Sequence, residues 1–245
     1  MGNVMPESQS NFVDRILAML PRVEYRLATT IEQRDAIFRM RYNGYLREGA
    51  IDANETLRYT DQYDSAPNAL LLGVFVDGVL SSSLRLNIVT PTCSVLPDKG
   101  TFPDLIEPMI AAGLKIVNSS RFVVDEEASK AHLGLAYLTV RAGWMGGEHF
   151  SVDRILTSVR SEHTPFYRRI FGFEVKTEAR DYATLKKPVC LLSLNYRANR
   201  EMVHRRYPFF MSTEAERQTI FDADAPAQQG DERRGDFWKR VKTAR

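Results

Sequence analysis

The sequence predicts an α/β (α+β) protein built on a mixed, mostly antiparallel sheet flanked by helices. Three observations lead there. Strand-like and helix-like segments follow one another in the order β, α, β, β, β, α, β, α, β, β. Asp77-Gly78 stands between two apolar runs, the pattern of a tight hairpin, so the strands on either side should pair antiparallel. The later strands are separated by helical stretches, and a strand-helix-strand unit crosses over right-handedly, which puts helices on both faces of the sheet.

Each element has its own signal. "NFVDRILAMLPR" places Phe12, Ile16 and Leu20 at helical spacing and stops at Pro21, giving a leader helix within residues 1 to 22. "VEYRLA" alternates as a strand, and Thr30 stands before a helix from Ile31 to about Arg47. "ALLLGVF" (69 to 75) reads as a buried strand, and "LSSSLRLNIV" (80 to 89) is its hairpin partner. Residues 91 to 112 carry Pro91, Pro97, Pro103 and Pro108 and are expected to be irregular. "LKIVNSSRFVVD" (114 to 125) is a long strand, and "ASKAHLGLAYLTVRAGWMGGEH" is one helix closed by Gly146 and Gly147. "DRILTSV" (153 to 159) is a strand, Thr164 caps a helix that begins at Pro165, and "GFEV" and "PVCLLSLNY" complete the sheet. The main domain therefore spans 23 to 212. Residues 213 to 245 are polar and expected to be flexible, with Phe237, Trp238 and Val241 able to form one amphipathic turn.

Composition narrows the function classes. A chain of 245 residues with 44% hydrophobic and 26% charged residues has the make-up of a globular protein with one large core or two small ones. Its 33 Lys and Arg against 31 Asp and Glu leave a net charge of +2, too little for a general polyanion-binding field, and no nucleic-acid motif accompanies it. No run reaches the roughly 18 apolar residues of a membrane span, and the first ten residues lack a secretory signal, so the expected location is cytoplasmic. Cys93 and Cys190 stand alone and are expected to be reduced, without a metal site.

Four stretches carry a resemblance. "FYRRIFGFE" looks like the late helix and the Gly-Phe strand entry of the GCN5-related N-acetyltransferase (GNAT) fold. "RYNGYLREGAI", "DQYDSAPNALLLGVFVDGVLSSSLRL" and "NSSRFVVD" follow one another as in the acyl-homoserine lactone synthases and their relatives, the long-chain N-acyl amino acid synthases. The resemblance implies a GNAT-like sheet splayed between its fourth and fifth strands, with the pantetheine arm of an acyl thioester lying in the splay. Phe122, Val123 and Val124 would offer backbone N–H groups to the donor. Arg41, Asp61, Asp64, Arg85 and Arg121 match the family's Arg and Asp positions and would serve the acceptor; pairing of Arg41 or Arg85 with Asp61 or Asp64 as a structural network is an equal alternative. Tyr167, on the helix facing the splay, would protonate the leaving thiolate, the lesser alternative being an apolar-face residue of a short helix. Glu126, Glu127 and His163 are candidate bases for the acceptor ammonium.

Departures separate the relatives. Homoserine lactone synthases carry Phe where this chain has Tyr45, Trp where it has Ile51, and usually Glu where it has Asn118. The N-acyl amino acid synthase branch therefore fits better, with the lactone synthases, the ornithine lipid acyltransferases and coenzyme A-dependent acetyltransferases as alternatives. In "AHLGLA", Gly134 and Ala136 keep the loop of a pyrophosphate site, but Ala131 stands where its cationic or amide residue belongs. Lys130 and His132 are possible substitutes. The implied donor is thus the acyl-phosphopantetheine of an acyl carrier protein, with acyl-CoA as the other option and no permanently bound cofactor. Such an acidic partner would meet Arg168, Arg169, Arg197, Arg200, Arg205 and Arg206, although a charge run of this kind is more often a plain solvated face. The acceptor would be an amino acid, its carboxylate held by Arg85 and Arg121. The leader helix would pack on the core, cover an acyl tunnel or touch a membrane surface.

Overall fold

The computed structural model describes residues 7 to 222 together with 237 and 238, the side chains from residue 11 onward. Seven strands form one sheet in the order β1-β2-β3-β4-β5-β7-β6. They are β1 (Val23–Leu27), β2 (Ala69–Val76), β3 (Val79–Val89), β4 (Ile116–Val124), β5 (Arg154–Val159), β6 (Glu174–Val175) and β7 (Cys190–Asn195). Only the β4-β5 pair is parallel. The hairpin between β2 and β3 turns at Asp77 and Gly78, both with positive φ (50° and 81°), which matches the right-handed twist of the flanking strands.

The helices are α1 (Glu7–Met19), α2 (Ile31–Arg47), α3 (Pro103–Ala111), α4 (Glu126–Ala131), α5 (Leu135–His149), α6 (Thr164–Phe171), α7 (Tyr196–Arg206) and α8 (Glu214–Phe221). Thr30 caps α2 as expected, accepting from Gln33 N while Gln33 Oε1 accepts from Thr30 N at 3.1 Å. α5 covers the sheet face that carries Leu84, Leu86 and Ser119, since a Cβ on Gly143 would lie against all three. α2 covers the opposite face, where a Cβ on Gly44 would fall 2.4 Å from Val123 Cγ2. Gly44 thus trades helix propensity for closeness to β4. Gly44→Ala should gain about 1 kcal/mol of helix propensity and lose about 1 to 3 kcal/mol by overpacking the stiff Val123. A lowered urea midpoint is the expected result; a raised midpoint would show that α2 can move without cost.

Four expectations need correction. The Pro-rich segment is not wholly irregular: Pro97–Gly100 forms a 3-10 turn, and α3 starts with Pro103 at its first position. Pro at N1 removes no helical hydrogen bond, and Phe102 and Ile106, both fully buried, hold α3 on the core despite Pro108. The segment 128 to 149 is not one helix, because α4 ends at Ala131 and α5 starts at Leu135. Gly146 and Gly147 do not close α5, which runs to His149. A Cβ at Gly146 would fall 2.8 Å from Leu86 Cδ1, and one at Gly147 3.0 Å from Ile155 Cδ1, so these glycines let the helix approach the sheet. Thr164 is the first residue of α6 rather than its cap, and its hydroxyl donates to Ser161 O.

The polar tail is structured where it can be described. α8 buries Ile220 and Phe221, and its Glu216 takes both terminal nitrogens of Arg141 at 2.6 and 2.9 Å. Phe237 and Trp238 are buried, with Trp238 5.8 Å from the Phe150 ring. Residues 223 to 236 and 239 to 245, including Val241, lie outside the described residues. Both cysteines are free, Cys190 being buried. Among the described residues no helix is long and apolar enough to cross a membrane, and no group of His, Cys, Asp and Glu could hold a metal ion.

Candidate active site

The parallel β4-β5 ladder is short. It runs from Ile116 opposite Arg154 to Ser119 opposite Thr157 and then stops, although β4 continues to Val124 and β5 to Val159. The two strands therefore separate into the expected wedge. On its other edge β4 is irregular too: Arg85 pairs with Ser120 and Ser83 with Val123, so Arg121 and Phe122 together face Leu84. This is a β-bulge with Arg121 in the left-handed region (φ 55°), a strained conformation for a side chain of this size. Phe122, in the bulge, and Val123 and Val124 beyond it line the β4 side of the wedge.

The α2 face of the wedge holds a buried ionic chain. Arg41 Nη1 donates to Asp64 Oδ1 at 2.7 Å, and Arg85 Nη1 donates to the same oxygen at 3.0 Å. Arg85 also bonds Asp61, and its Nε donates to Ser120 Oγ at 3.1 Å. Arg121 closes the chain through two contacts to Asp61 Oδ2. The sequence-derived set Arg41, Asp61, Asp64, Arg85 and Arg121 is thus one connected group. Burial opposes ionisation of both carboxyls, yet the guanidiniums outweigh it. Arg85 and Arg121 hold Asp61 below the usual carboxylate range, and Arg41 and Arg85 hold Asp64 far below it.

Three guanidiniums against two carboxylates leave this chain one positive charge in excess. Donors are also left over: Arg41 Nε and Nη2 and Arg85 Nη2 are buried and have no partner among the described residues. Arg121 is better satisfied. Its Nη1 donates to Tyr59 OH at 2.6 Å and its Nη2 to Thr184 Oγ1 at 3.0 Å. The guanidinium also stacks 4.4 Å from the Tyr59 ring centroid and 5.8 Å from that of Tyr45.

The α5 face presents Tyr167. The residue is buried on α6 between Phe166 and Phe173, and the Thr157 side chain, on the last paired rung of β5, is its polar neighbour. Burial raises the phenol well above its ordinary value. It therefore stays protonated at neutral pH, at the point where β5 leaves β4.

The remaining candidates sit elsewhere. Glu126 is half exposed on α4, 3.1 Å from Lys130 and 3.6 Å from Arg47, and the lysine bond lowers its carboxyl further. Its partner in that helix, Glu127, bonds Lys130 as well. His163 lies at the rim with Arg160 Nη2 2.8 Å from its Nε2, and burial and that arginine lower its pKa. Neither Glu126 nor His163 joins the buried group, and both are disfavoured as bases by charge partners that weaken their proton affinity. Gly134, at the N-cap of α5, is covered by α1: a Cβ there would lie 1.9 Å from Ile16 Cδ1, with Met19 Sδ at 3.5 Å. Ala136 is in the first turn of α5 behind it.

Sequence reasoning missed Tyr59, Thr184 and Tyr182. They come from irregular segments in which no periodicity marks an inward face. The loop 176 to 189 crosses from β6 to the end of α2, with Lys186 N donating to Ala50 O and Tyr59 OH donating to Thr184 O, and so covers the α2 side of the wedge.

Comparison with known proteins agrees with this geometry. A family model described as N-acyl amino acid synthase FeeM matches residues 36 to 195, from within α2 to the end of β7. The solved structure of FeeM, an N-acyl amino acid synthase from uncultured soil microbes, is 18% identical, covers 78% of this chain and 99% of its own, and has a TM-score of 0.61. The acyl-homoserine lactone synthase LasI (13% identity, 78% and 96% coverage, TM-score 0.57) and the CoA-dependent acyl-homoserine lactone synthase MesI (18%, 78% and 97%, 0.54) share the architecture. No curated protein matches by sequence. The structural likenesses establish a GNAT-like fold, and the family match takes in the wedge, the ionic chain and Tyr167 together. The chain belongs to the FeeM family of N-acyl amino acid synthases, and it is an acyltransferase.

Proposed function

We propose that the protein transfers a long-chain fatty acyl group from the phosphopantetheine thioester of an acyl carrier protein to the amino group of an amino acid. The observation that carries this reading is the parting of β4 from β5 after Ser119 and Thr157, with a protonated phenol on one face and surplus guanidinium donors on the other. A pantetheine arm in that wedge adds its amides to the exposed edge of β4. The acceptor's carboxylate meets the donors left over on Arg41 and Arg85, a charge-assisted interaction that suits the chain's excess positive charge.

Attack by the amine nitrogen forms the C–N bond and a tetrahedral oxyanion, which β4 backbone N–H groups near the bulge stabilise. As the C–S bond breaks, the Tyr167 phenol delivers its proton to sulfur and is reprotonated by the proton that the nitrogen gives up. The net products are the amide, the free thiol of the carrier and one proton released from the original ammonium.

Two features favour the carrier protein over coenzyme A. No cation stands at Ala131, and α1 packs Ile16 against Gly134, where a pyrophosphate loop needs open space. A carrier's acidic surface has Arg168, Arg169, Arg205 and Arg206 to meet, all exposed, whereas Arg200 is committed to Glu148 at 2.6 Å and Arg197 lies 3.5 Å from Asp153. MesI is described as CoA-dependent, so the assay needs both donors. Incubation with palmitoyl-acyl carrier protein or palmitoyl-CoA, the twenty amino acids and S-adenosylmethionine should yield N-acyl amino acids by mass spectrometry, faster from the carrier. Acyl-homoserine lactone as the sole product, or free fatty acid alone, would defeat the reading.

A further inference from the structure

A buried carboxyl outside the ionic chain has no role in the steps above. Asp98, in the 3-10 turn Pro97–Gly100, is 1% exposed, and Asn118 Nδ2 donates to its Oδ2 at 2.6 Å. Asn118 is on the rung just before the last β4-β5 pair, two residues from Ser120, so it shares a sheet face with Arg85. Asn87 lies directly opposite Asn118 on β3. The polar atoms left over here are sorted by type. Asn87 Oδ1 and Asn118 Oδ1 are buried acceptors without a partner, while Arg85 Nη2, two residues along β3 from Asn87, is a buried donor without one. Unpartnered acceptors at one end and an unpartnered guanidinium nitrogen at the other are complementary to the ammonium and the carboxylate of a zwitterion.

We propose that Asp98 is the general base of the reaction, taking a proton from an acceptor ammonium seated on the side-chain oxygens of Asn87 and Asn118. The assignment rests on the N-acyltransferase reading and specifies its acceptor end. Before attack, the Asp98 carboxylate removes one proton from the ammonium; the neutral nitrogen then forms the C–N bond, and Asp98 passes its proton to solvent after product leaves. Acid and base stand on opposite faces of the sheet at consecutive rungs, Tyr167 beside Thr157 and Asp98 beside Asn118, so the thioester between the strands is reached from both sides. Tyr182, whose hydroxyl is 3.4 Å from Asp98 Oδ1, belongs to the loop that covers this end of the site.

Burial raises the Asp98 carboxyl above its ordinary value; the neighbouring side chains of Asn118, Ser158 and Tyr182 and the Arg85 charge only partly offset this, and Lys99 turns away to Glu107 at 3.7 Å. A raised base is protonated at low pH, so kcat/KM should fall on acidification through a value above the usual carboxylate range of about 4. Asp98→Asn, which keeps the shape and a hydrogen-bonding oxygen, should remain folded, lose about a hundredfold or more in kcat with little change in the amino acid KM, and lose that acidic limb. The charge swap Asp98→Asn/Asn118→Asp returns a carboxylate to the same spot and should restore at least tenfold of the loss, which a purely structural role of Asp98 would not produce. Wild-type turnover in Asp98→Asn, a loss confined to KM, or a swap that restores nothing would overturn the assignment. Should neither variant fold, a wild-type profile without the raised acidic limb overturns it and its presence supports it. A wild-type enzyme that makes no amide from any donor would instead refute the transfer reaction itself.

Discussion

Asp64→Asn is expected to unfold about 3 to 5 kcal/mol more easily than the parent protein, the usual penalty for breaking a buried ion pair from one side. The substitution keeps the size of the side chain but removes the charge shared by Arg41 and Arg85, which are both fully buried. An amide nitrogen in place of Oδ1 or Oδ2 would meet donors only, since Oδ1 accepts from the two arginines and Oδ2 from Thr60 Oγ1 and Asp61 N. Against a total stability of about 5 to 15 kcal/mol the loss is severe. The lowered carboxyl adds a pH signature. A group whose folded pKa is depressed stabilises the fold above its unfolded pKa of about 3.9 and ceases to do so as pH falls toward the folded value. The wild-type advantage over Asp64→Asn should therefore be full at pH 6 to 7 and shrink steadily below about pH 4. Urea unfolding with an unchanged m-value reads both effects. The exposed pair Arg22–Asp77 is the control: Asp77→Asn should leave the midpoint unmoved, because solvent screens both partners. Equal midpoints for Asp64→Asn and wild type would mean that the ionic chain contributes nothing to the fold.

The parts of this site that were legible in the sequence lie on regular elements. Arg41 is on α2, and Arg85 on β3, and their order along the chain carried the family resemblance that brought Asp61 and Asp64 with them. The position of Arg121 was legible but its direction was not. Strict alternation along "NSSRFVVD" sends Ser120 and Arg121 to opposite faces, yet Arg121 reaches the same Asp61 that Arg85 holds beside Ser120. The bulge and the positive φ at Arg121 re-aim the side chain, and a one-residue insertion leaves no mark in hydrophobic period. Asp98, Tyr59, Tyr182 and Thr184 were hidden for a different reason. They come from segments whose shape is set by contacts with the finished sheet, so only the folded chain brings them to the wedge. Glycine misled in one direction: Gly146 and Gly147 look like a helix stop, but the closeness of α5 to Leu86 and Ile155 is what excludes a Cβ.

Tyr167→Phe should lower kcat by about 10² to 10⁴ while leaving the fold almost intact. Phenylalanine fits the same pocket between Phe166 and Phe173, and among the described residues the Thr157 side chain is the one polar neighbour the phenol would give up. Even the full loss of one neutral hydrogen bond would cost about 1 kcal/mol, in a chain of this length a Tm lower by roughly 2 to 4 °C, so any shift should stay within that. The phenol's role as proton donor can be separated from a role in packing by changing the leaving group. An alkyl thiolate such as that of pantetheine, near the ordinary thiol pKa of about 8.5, departs more readily when protonated. An aryl thiolate is much less basic and departs without a proton, so the variant should recover most of the wild-type rate with an S-aryl thioester of the same fatty acid. Because burial raises the phenol, the wild-type rate should also hold through the mildly alkaline range, without the loss near a pH of about 10 that a phenol of ordinary pKa would show. An equal deficit on alkyl and aryl thioesters would show that the ring only shapes the wedge. Undiminished turnover of the natural thioester would mean that the departing sulfur takes its proton from another source.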